Sequence, residues 1–127
     1  MSKILSDCRY SKDHEWVKIK EGKAYVGITD YAQASLGEIV YVETPKVGDH
    51  LALGDDFCNI ESVKAASPII NPLAGDVVEV NKSLEGQPEL LNQNCYDNYI
   101  YALDKFNQSE FDALMDSSQY ELFLQSK

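Results

Sequence analysis

Glu61-Ser62-Val63-Lys64-Ala65-Ala66-Ser67 sets one lysine between two short strand-like runs. Upstream stands Phe57-Cys58-Asn59-Ile60, and downstream the chain reads Pro68-Ile69-Ile70-Asn71-Pro72-Leu73-Ala74-Gly75-Asp76-Val77-Val78-Glu79-Val80. Both have the two-residue rhythm of strands half buried in a sheet. If they pair, Lys64 falls at the tip of their turn, held out in solvent where an enzyme could reach one specific amine and attach something to it. Spacing by itself favours the plainer reading, a solvated surface lysine, because nothing in a lone lysine announces modification. Pattern alone does not call for a tight turn here either, since Val63-Lys64 is not Asn-Gly or another favoured two-residue hairpin pair.

Working outward, His14-Glu15-Trp16-Val17-Lys18-Ile19-Lys20 alternates, breaks at Glu21-Gly22-Lys23 and resumes as Ala24-Tyr25-Val26-Gly27-Ile28-Thr29, which reads as a hairpin. Asp30 with Gln33 three residues on is the expected N-cap of a short helix over 31–36 that stops at Gly37. Ile39-Val40-Tyr41-Val42-Glu43 is the next strand. Gly and Pro turns then flank a short extended piece around Leu51. Val47-Gly48-Asp49 before the lysine and Ala74-Gly75-Asp76 after it form a thin internal echo, each expected to start a strand after a glycine turn, with Gly75 at positive φ. Pro88-Glu89-Leu90-Leu91 reads as a helical turn with proline at its first position, and Tyr99-Ile100-Tyr101-Ala102-Leu103 as a last strand. Asn107 with Glu110 starts a helix with Phe111, Leu114 and Met115 as its apolar face, and Ser117 caps another with Tyr120, Phe123 and Leu124. These helices are expected to cover a sheet edge.

A chain of 127 residues with 44% hydrophobic and 25% charged residues suits one globular domain, with a core over about 10–104 and C-terminal helices over about 107–125. No apolar run approaches the ~18–20 residues of a membrane span. The first residues lack the marks of a secretory or transit segment, so a bacterial cytoplasm is the expected compartment, a mitochondrial matrix less so. The net charge of −10 would repel a phosphate backbone or an anionic membrane and favours protein partners with basic surfaces. Residues 83–127 carry 2 basic and 8 acidic residues, so the acidity is concentrated there.

Catalysis would need a nucleophile and a base, and the candidates are Cys8, Cys58 and Cys95 with His14 and His50, accompanied by no nucleophile elbow, phosphate loop or His-x-x-x-His pair. The cysteine spacings match no zinc pattern, and the three read as reduced thiols, Cys58 buried in a strand. His14 and Glu15 are adjacent and would point to opposite faces of a strand, so metal binding is not expected.

Ile60-Glu61-Ser62-Val63-Lys64-Ala65-Ala66-Ser67, with Gly75 eleven residues past the lysine, resembles the lipoyl-attachment site of the glycine cleavage system H protein family. Tyr10-Ser11-Lys12-Asp13-His14-Glu15-Trp16-Val17, Val26-Gly27-Ile28-Thr29-Asp30-Tyr31-Ala32-Gln33 and Leu36-Gly37-Glu38-Ile39-Val40-Tyr41-Val42 are similar to that family in the same order, so the likeness runs from about Tyr10 to Leu124. It implies a mainly β fold, the hybrid barrel-sandwich of lipoyl and biotinyl carriers, with short peripheral helices. It also implies that the chain is a carrier and not an enzyme, with lipoate in amide linkage on Lys64.

By the same resemblance Glu61 serves recognition by the lipoylating enzyme, Glu15 helps line the cleft that receives the loaded arm, and Ser67 belongs to the same site. The implied partners of this one-carbon shuttle are a pyridoxal-phosphate glycine decarboxylase, a tetrahydrofolate-dependent aminomethyltransferase and a flavin dihydrolipoyl dehydrogenase, with the carrier a monomer. Biotin is disfavoured because biotin carriers place Met on both sides of the lysine, where this chain has Val63 and Ala65. Lipoyl domains of 2-oxo acid dehydrogenases share a Glu at the place of Glu61 but carry Asp where Val63 stands. The chain departs from the family at Cys95-Tyr96-Asp97-Asn98-Tyr99, which lacks the usual loop glycines, and at Pro68, where many relatives are acidic. A relay carrier that serves protein lipoylation, outside glycine breakdown, is the alternative.

Overall fold

The computed structural model describes residues 2–56 and 58–126. Phe57, at the head of the expected upstream strand, lies outside them. In chain order the elements are β1 (Arg9–Tyr10), β2 (Glu15–Lys20), β3 (Lys23–Ile28), α1 (Asp30–Leu36), β4 (Ile39–Val42), β5 (His50–Leu51), β6 (Cys58–Ser62), β7 (Ala66–Ile69), β8 (Gly75–Val80), α2 (Ser83–Gly86), α3 (Leu90–Gln93), β9 (Tyr101–Asp104), α4 (Gln108–Asp112) and α5 (Ser117–Gln125). The strands form two antiparallel sheets, one ordered β1-β2-β3-β9-β8-β5 and one ordered β4-β6-β7. Each sheet turns an apolar face to the other. Val17, Val26, Val77 and Leu103 of the larger sheet and Ile39, Ile60 and Ile69 of the smaller belong to one buried cluster.

The β2–β3 hairpin forms as its alternation requires. Lys20 pairs with Lys23, and the two turn residues Glu21 and Gly22 have φ of 54° and 79°, the positive values that a two-residue turn needs to match strand twist. A second buried cluster lies outside the main core, where the Tyr10 and Tyr120 rings stack with centroids 4.5 Å apart beside Trp16. The expected edge cover is present. The Tyr10 amide donates to the Met115 carbonyl (2.8 Å) and the Met115 amide to the Tyr10 carbonyl (2.9 Å), so the segment between α4 and α5 pairs with β1.

Several local expectations are corrected. The N-cap of α1 is Thr29, whose hydroxyl accepts from the Ala32 amide, and Asp30 is the first helical residue, its carboxylate taking the Gln33 side chain instead. Asp116 rather than Ser117 caps α5, in a reciprocal pair with Gln119. In both places two candidate caps stand side by side, and the residue with extended backbone takes the role. Asn107 caps α4 as expected, yet the helix ends at Asp112 because Met115 is drawn out to pair with Tyr10. Pro88 opens a turn, and α3 begins two residues later behind Glu89. The short helix α2, which buries Leu84, had no signal strong enough to be expected.

Gly75 requires a different explanation from the one its sequence context offers. It has no positive φ and is the first residue of β8. A Cβ there would stand 3.0 Å from the Asp104 carbonyl oxygen and 3.0 Å from the Leu103 Cβ, so what requires glycine is the close approach of β9. The strand that follows the first echoed tripeptide pairs with the second, His50 with Asp76 and Leu51 with Gly75.

Candidate functional site

Lys64 stands at the tip of the β6–β7 hairpin. Cys58 pairs with Ile69, Asn59 with Pro68, Ile60 with Ser67 and Glu61 with Ala66, and the Ser62 amide donates to the Ala65 carbonyl at 2.8 Å, leaving Val63 and Lys64 as the turn. Neither turn residue has a positive φ. Ser62 makes the turn possible without glycine: its hydroxyl oxygen accepts from the Ala65 amide (3.1 Å) and the Lys64 amide (3.4 Å). This side chain supplies the local hydrogen bonds that a favoured turn pair would have made unnecessary. Serine at the first position of the turn is the signal of this turn in the sequence.

The tip rests on the segment 37–39. The Val63 amide donates to the Glu38 carbonyl at 3.0 Å. Gly37, at φ 79° past the end of α1, lies under the lysine stem: a Cβ on it would stand 3.3 Å from Lys64 Cε and 3.8 Å from Nζ. Glycine therefore serves twice here, as the helix stop and as a flat seat for the lysine. Asn92 of α3 locks the segment. Its Nδ2 donates to the Gly37 carbonyl (2.8 Å) and Gln33 Oε1 (2.9 Å), and its Oδ1 accepts from the Ile39 amide (2.8 Å). One side chain thus ties α1, β4 and the lysine's support to α3, and no feature of the sequence distinguished Asn92 from its neighbours.

The other sequence-level site residues divide into two places. Glu61 is exposed on the hairpin beside Lys64, and Ser67 is half buried on the core side of β7 opposite Ile60. Glu15 lies elsewhere, at the foot of the hairpin. Its carboxyl is buried, accepting from the Ser11 hydroxyl (2.6 Å) and the Ile70 amide (3.2 Å). Ile70 is six residues past Lys64, roughly 20 Å along an extended strand. Glu15 stands at the start of β2 with only 2% of its surface exposed. Burial pushes this carboxyl up to about 8, against the two hydrogen bonds that favour its charged form, with Asp13 nearby adding to the rise. Ser11 and Ile70 also border an open groove of about 390 Å³ lined by Tyr10, Asp13, Pro72 and Leu114 among others.

Cys8, Cys58 and Cys95 are free and buried. Burial raises the thiols to about 12, 11 and 12 respectively, so none is a ready nucleophile. His14 has φ 69°, so it lies outside β2, and its Nδ1 sits 2.8 Å from the Tyr120 hydroxyl. Among the described residues no group of His, Cys, Asp and Glu could hold a metal ion, and no helix is long and apolar enough to cross a membrane.

The family profile described as Glycine cleavage H-protein matches residues 8–127 of the chain. The chain belongs to this family. It is 48% identical over 125 residues to the glycine cleavage system H protein of Alkaliphilus oremlandii, covering 98% of each chain. It is 42% identical over 128 residues to that of Alcanivorax borkumensis, covering 100% of each. A crystal structure of a glycine cleavage system H protein from Mycobacterium marinum superposes with a TM-score of 0.87 at 30% identity, over 96% of this chain and 99% of that one. The mainly β, barrel-sandwich expectation is therefore met, and the family match favours glycine cleavage over the relay alternative.

Proposed function

We propose that the chain is a lipoyl carrier that moves the aminomethyl group of glycine on lipoyl-Lys64 from the glycine decarboxylase to the aminomethyltransferase, and that dihydrolipoyl dehydrogenase then reoxidises it. The observation that carries this reading is the seated, exposed Lys64 at the tip of a hairpin, in a chain belonging to the H-protein family. The site fits lipoate, since an amide needs only a free primary amine with open space around it, and Val63, Ala65 and Ala66 beside Lys64 are exposed and leave room for an attaching enzyme. When bound, lipoate supplies a dithiolane that opens and closes by thiol–disulfide exchange.

The chain's own residues do the rest. Nζ gives up a proton as it bonds the activated lipoyl carbonyl carbon, whose bond to its activating group breaks. Ser62, the Glu38 carbonyl and Asn92 hold the tip in one place, so the attaching enzyme meets a positioned amine. Glu61 serves recognition by that enzyme. Glu15, with Ser67 on the strand leading to it, belongs to the region that receives the loaded arm, where its buried carboxyl fixes the Ser11 and Ile70 segments that border the groove. The chain itself catalyses nothing. Tethering raises the effective concentration of the arm at each partner without letting it diffuse away.

Peptide mass mapping of protein from lipoate-supplied cells tests the reading. One lipoyl adduct is expected on Lys64 and none on Lys64→Arg. An adduct on another lysine, or biotin on Lys64, overturns it.

A further inference from the structure

The outward face of the β4-β6-β7 sheet follows from its register. Tyr41 pairs with Glu61 and Glu61 with Ala66, so the three side chains form one row across the sheet. Two residues along, the Glu43 amide bonds the Asn59 carbonyl and Asn59 pairs with Pro68, giving a second row on the same face. Val42, Ile60, Cys58 and Ile69 point the other way and are buried, which leaves both rows facing out. Tyr41 is 51% exposed, and Val40, at the irregularity that interrupts β4 pairing, is 48% exposed. The two rows hold two carboxylates and no basic residue.

We propose that this face docks the enzyme that attaches lipoate, which would meet it with a basic surface containing an apolar pocket for Tyr41. The proposal rests on the reading of Lys64 as the attachment site. Reach identifies the partner. An attaching enzyme must bring its reacting carbon to bonding distance of Nζ, so its footprint of roughly 800 Å² has to include ground next to the hairpin tip. Partners that act after attachment meet the far end of the arm and are under no such constraint. One flank of the tip is already taken by the segment 37–39 and Asn92, and the outward face, starting at Glu61 three residues from Lys64, is the adjoining open ground. An exposed tyrosine ring between carboxylates offers both an anchor and a charge pattern, and the net charge of −10 extends the attraction for a basic partner.

The test uses the full-length unmodified chain, a purified lipoate–protein ligase, lipoate and ATP, with loading followed by intact mass. Tyr41→Ala and Glu43→Lys are each expected to lower kcat/KM about tenfold, chiefly through KM, as for loss of an interface anchor. The charge-reversal variant should lose more at low salt than at high salt. Acylation of Lys64 by a small N-hydroxysuccinimide ester reports the amine's accessibility alone and should be unchanged in both variants. Wild-type loading rates in both variants overturn the proposal. So does an equal fall in small-ester acylation, which would mean that the lysine itself had been disturbed, or a loss confined to glycine decarboxylase exchange with preloaded variants, which would give the face to another partner. If the ligase leaves wild-type Lys64 unmodified, the carrier reading fails instead, and the two failures are told apart.

Discussion

Asn92→Ala removes three hydrogen bonds at once: those from Nδ2 to Gly37 and Gln33, and that from the Ile39 amide to Oδ1. Each contributes about 1 kcal/mol net, and because the groups are only partly buried, water recovers some of the loss, so a destabilisation of about 2 kcal/mol is expected. For 127 residues the unfolding entropy is roughly 0.27 kcal/mol/K, which converts this to a fall in Tm of about 7 °C. The larger effect should be local. Without Asn92 the segment 37–39 is free to move, the Glu38 carbonyl no longer holds the Val63 amide in place, and the lysine loses its seat. Hydrogen exchange at the Val63 amide should quicken well beyond the change at core amides such as Leu103, and lipoylation kcat/KM should fall about tenfold at a temperature where the variant is fully folded. Asn92→Asp separates the two ends of the contact, keeping the acceptor for Ile39 while placing a second acceptor against the Gly37 carbonyl. It should load no better than the alanine variant. Val77→Ala, a cavity variant in the other sheet with its own Tm loss, serves as the control for general destabilisation. If Asn92→Ala loads at the wild-type rate, with Val63 exchange unchanged, the reasoning that links Asn92 to the lysine tip is wrong.

Three further outcomes are expected. Glu15 has its carboxyl raised from 4.5 to about 8, so the folded state binds more protons than the unfolded state between those values; stability falls as pH rises through this window, by a few kcal/mol. Glu15→Gln should therefore match wild type near pH 5 and melt higher at pH 8–9, and a Tm gap that stays flat across that range would contradict the burial argument. Gly75→Val should lower Tm strongly with little change in the loading rate of the folded fraction, because its Cβ would meet β9 at 3.0 Å, in the sheet that does not hold the lysine hairpin, and an unchanged melt would refute the close-approach account. A Cys8→Ala, Cys58→Ala, Cys95→Ala variant, once lipoylated, should melt lower yet support glycine–bicarbonate exchange per folded molecule, and loss of exchange in a folded sample would point to a working protein thiol.

What could be read without coordinates was whatever has a period or a tip. Alternation gave the β2–β3 hairpin and the upstream arm of the lysine hairpin, since period two survives any tertiary context that buries one face, but the downstream run 68–80 divides into β7, which ends at Ile69, and β8, which starts at Gly75 in the other sheet. The lysine's neighbours carried the family resemblance. Caps were read one residue off at Thr29 and Asp116 because adjacent side chains could both perform the task, and only backbone conformation chooses between them. Gly75 looked like a turn glycine because the approach of β9, 28 or 29 residues later in the chain, has no local trace. Asn92 was invisible for the same reason: its three partners lie 53 to 59 residues away, and an asparagine in a short helix has no pattern to mark it. Glu15 was expected at the cleft only through the resemblance, and nothing local marks it as a buried acid, since the Ile70 amide that bonds it lies 55 residues along the chain.

The three buried thiols bear on chemical insulation. At neutral pH, groups held near 11 to 12 are ionised at about one part in ten thousand to one in a hundred thousand, against a few per cent for an ordinary cysteine. Exchange with a disulfide proceeds through the thiolate, so Cys8, Cys58 and Cys95 are slow reactants both by ionisation and by access. A carrier whose cargo group cycles between dithiol and disulfide would otherwise be open to trapping its own arm, as a mixed disulfide with a surface cysteine. On the proposed lipoyl-carrier reading, packing the sulfurs into the core keeps them away from the cargo, so this chain can keep cysteine as a small apolar filler with little risk of capturing the arm.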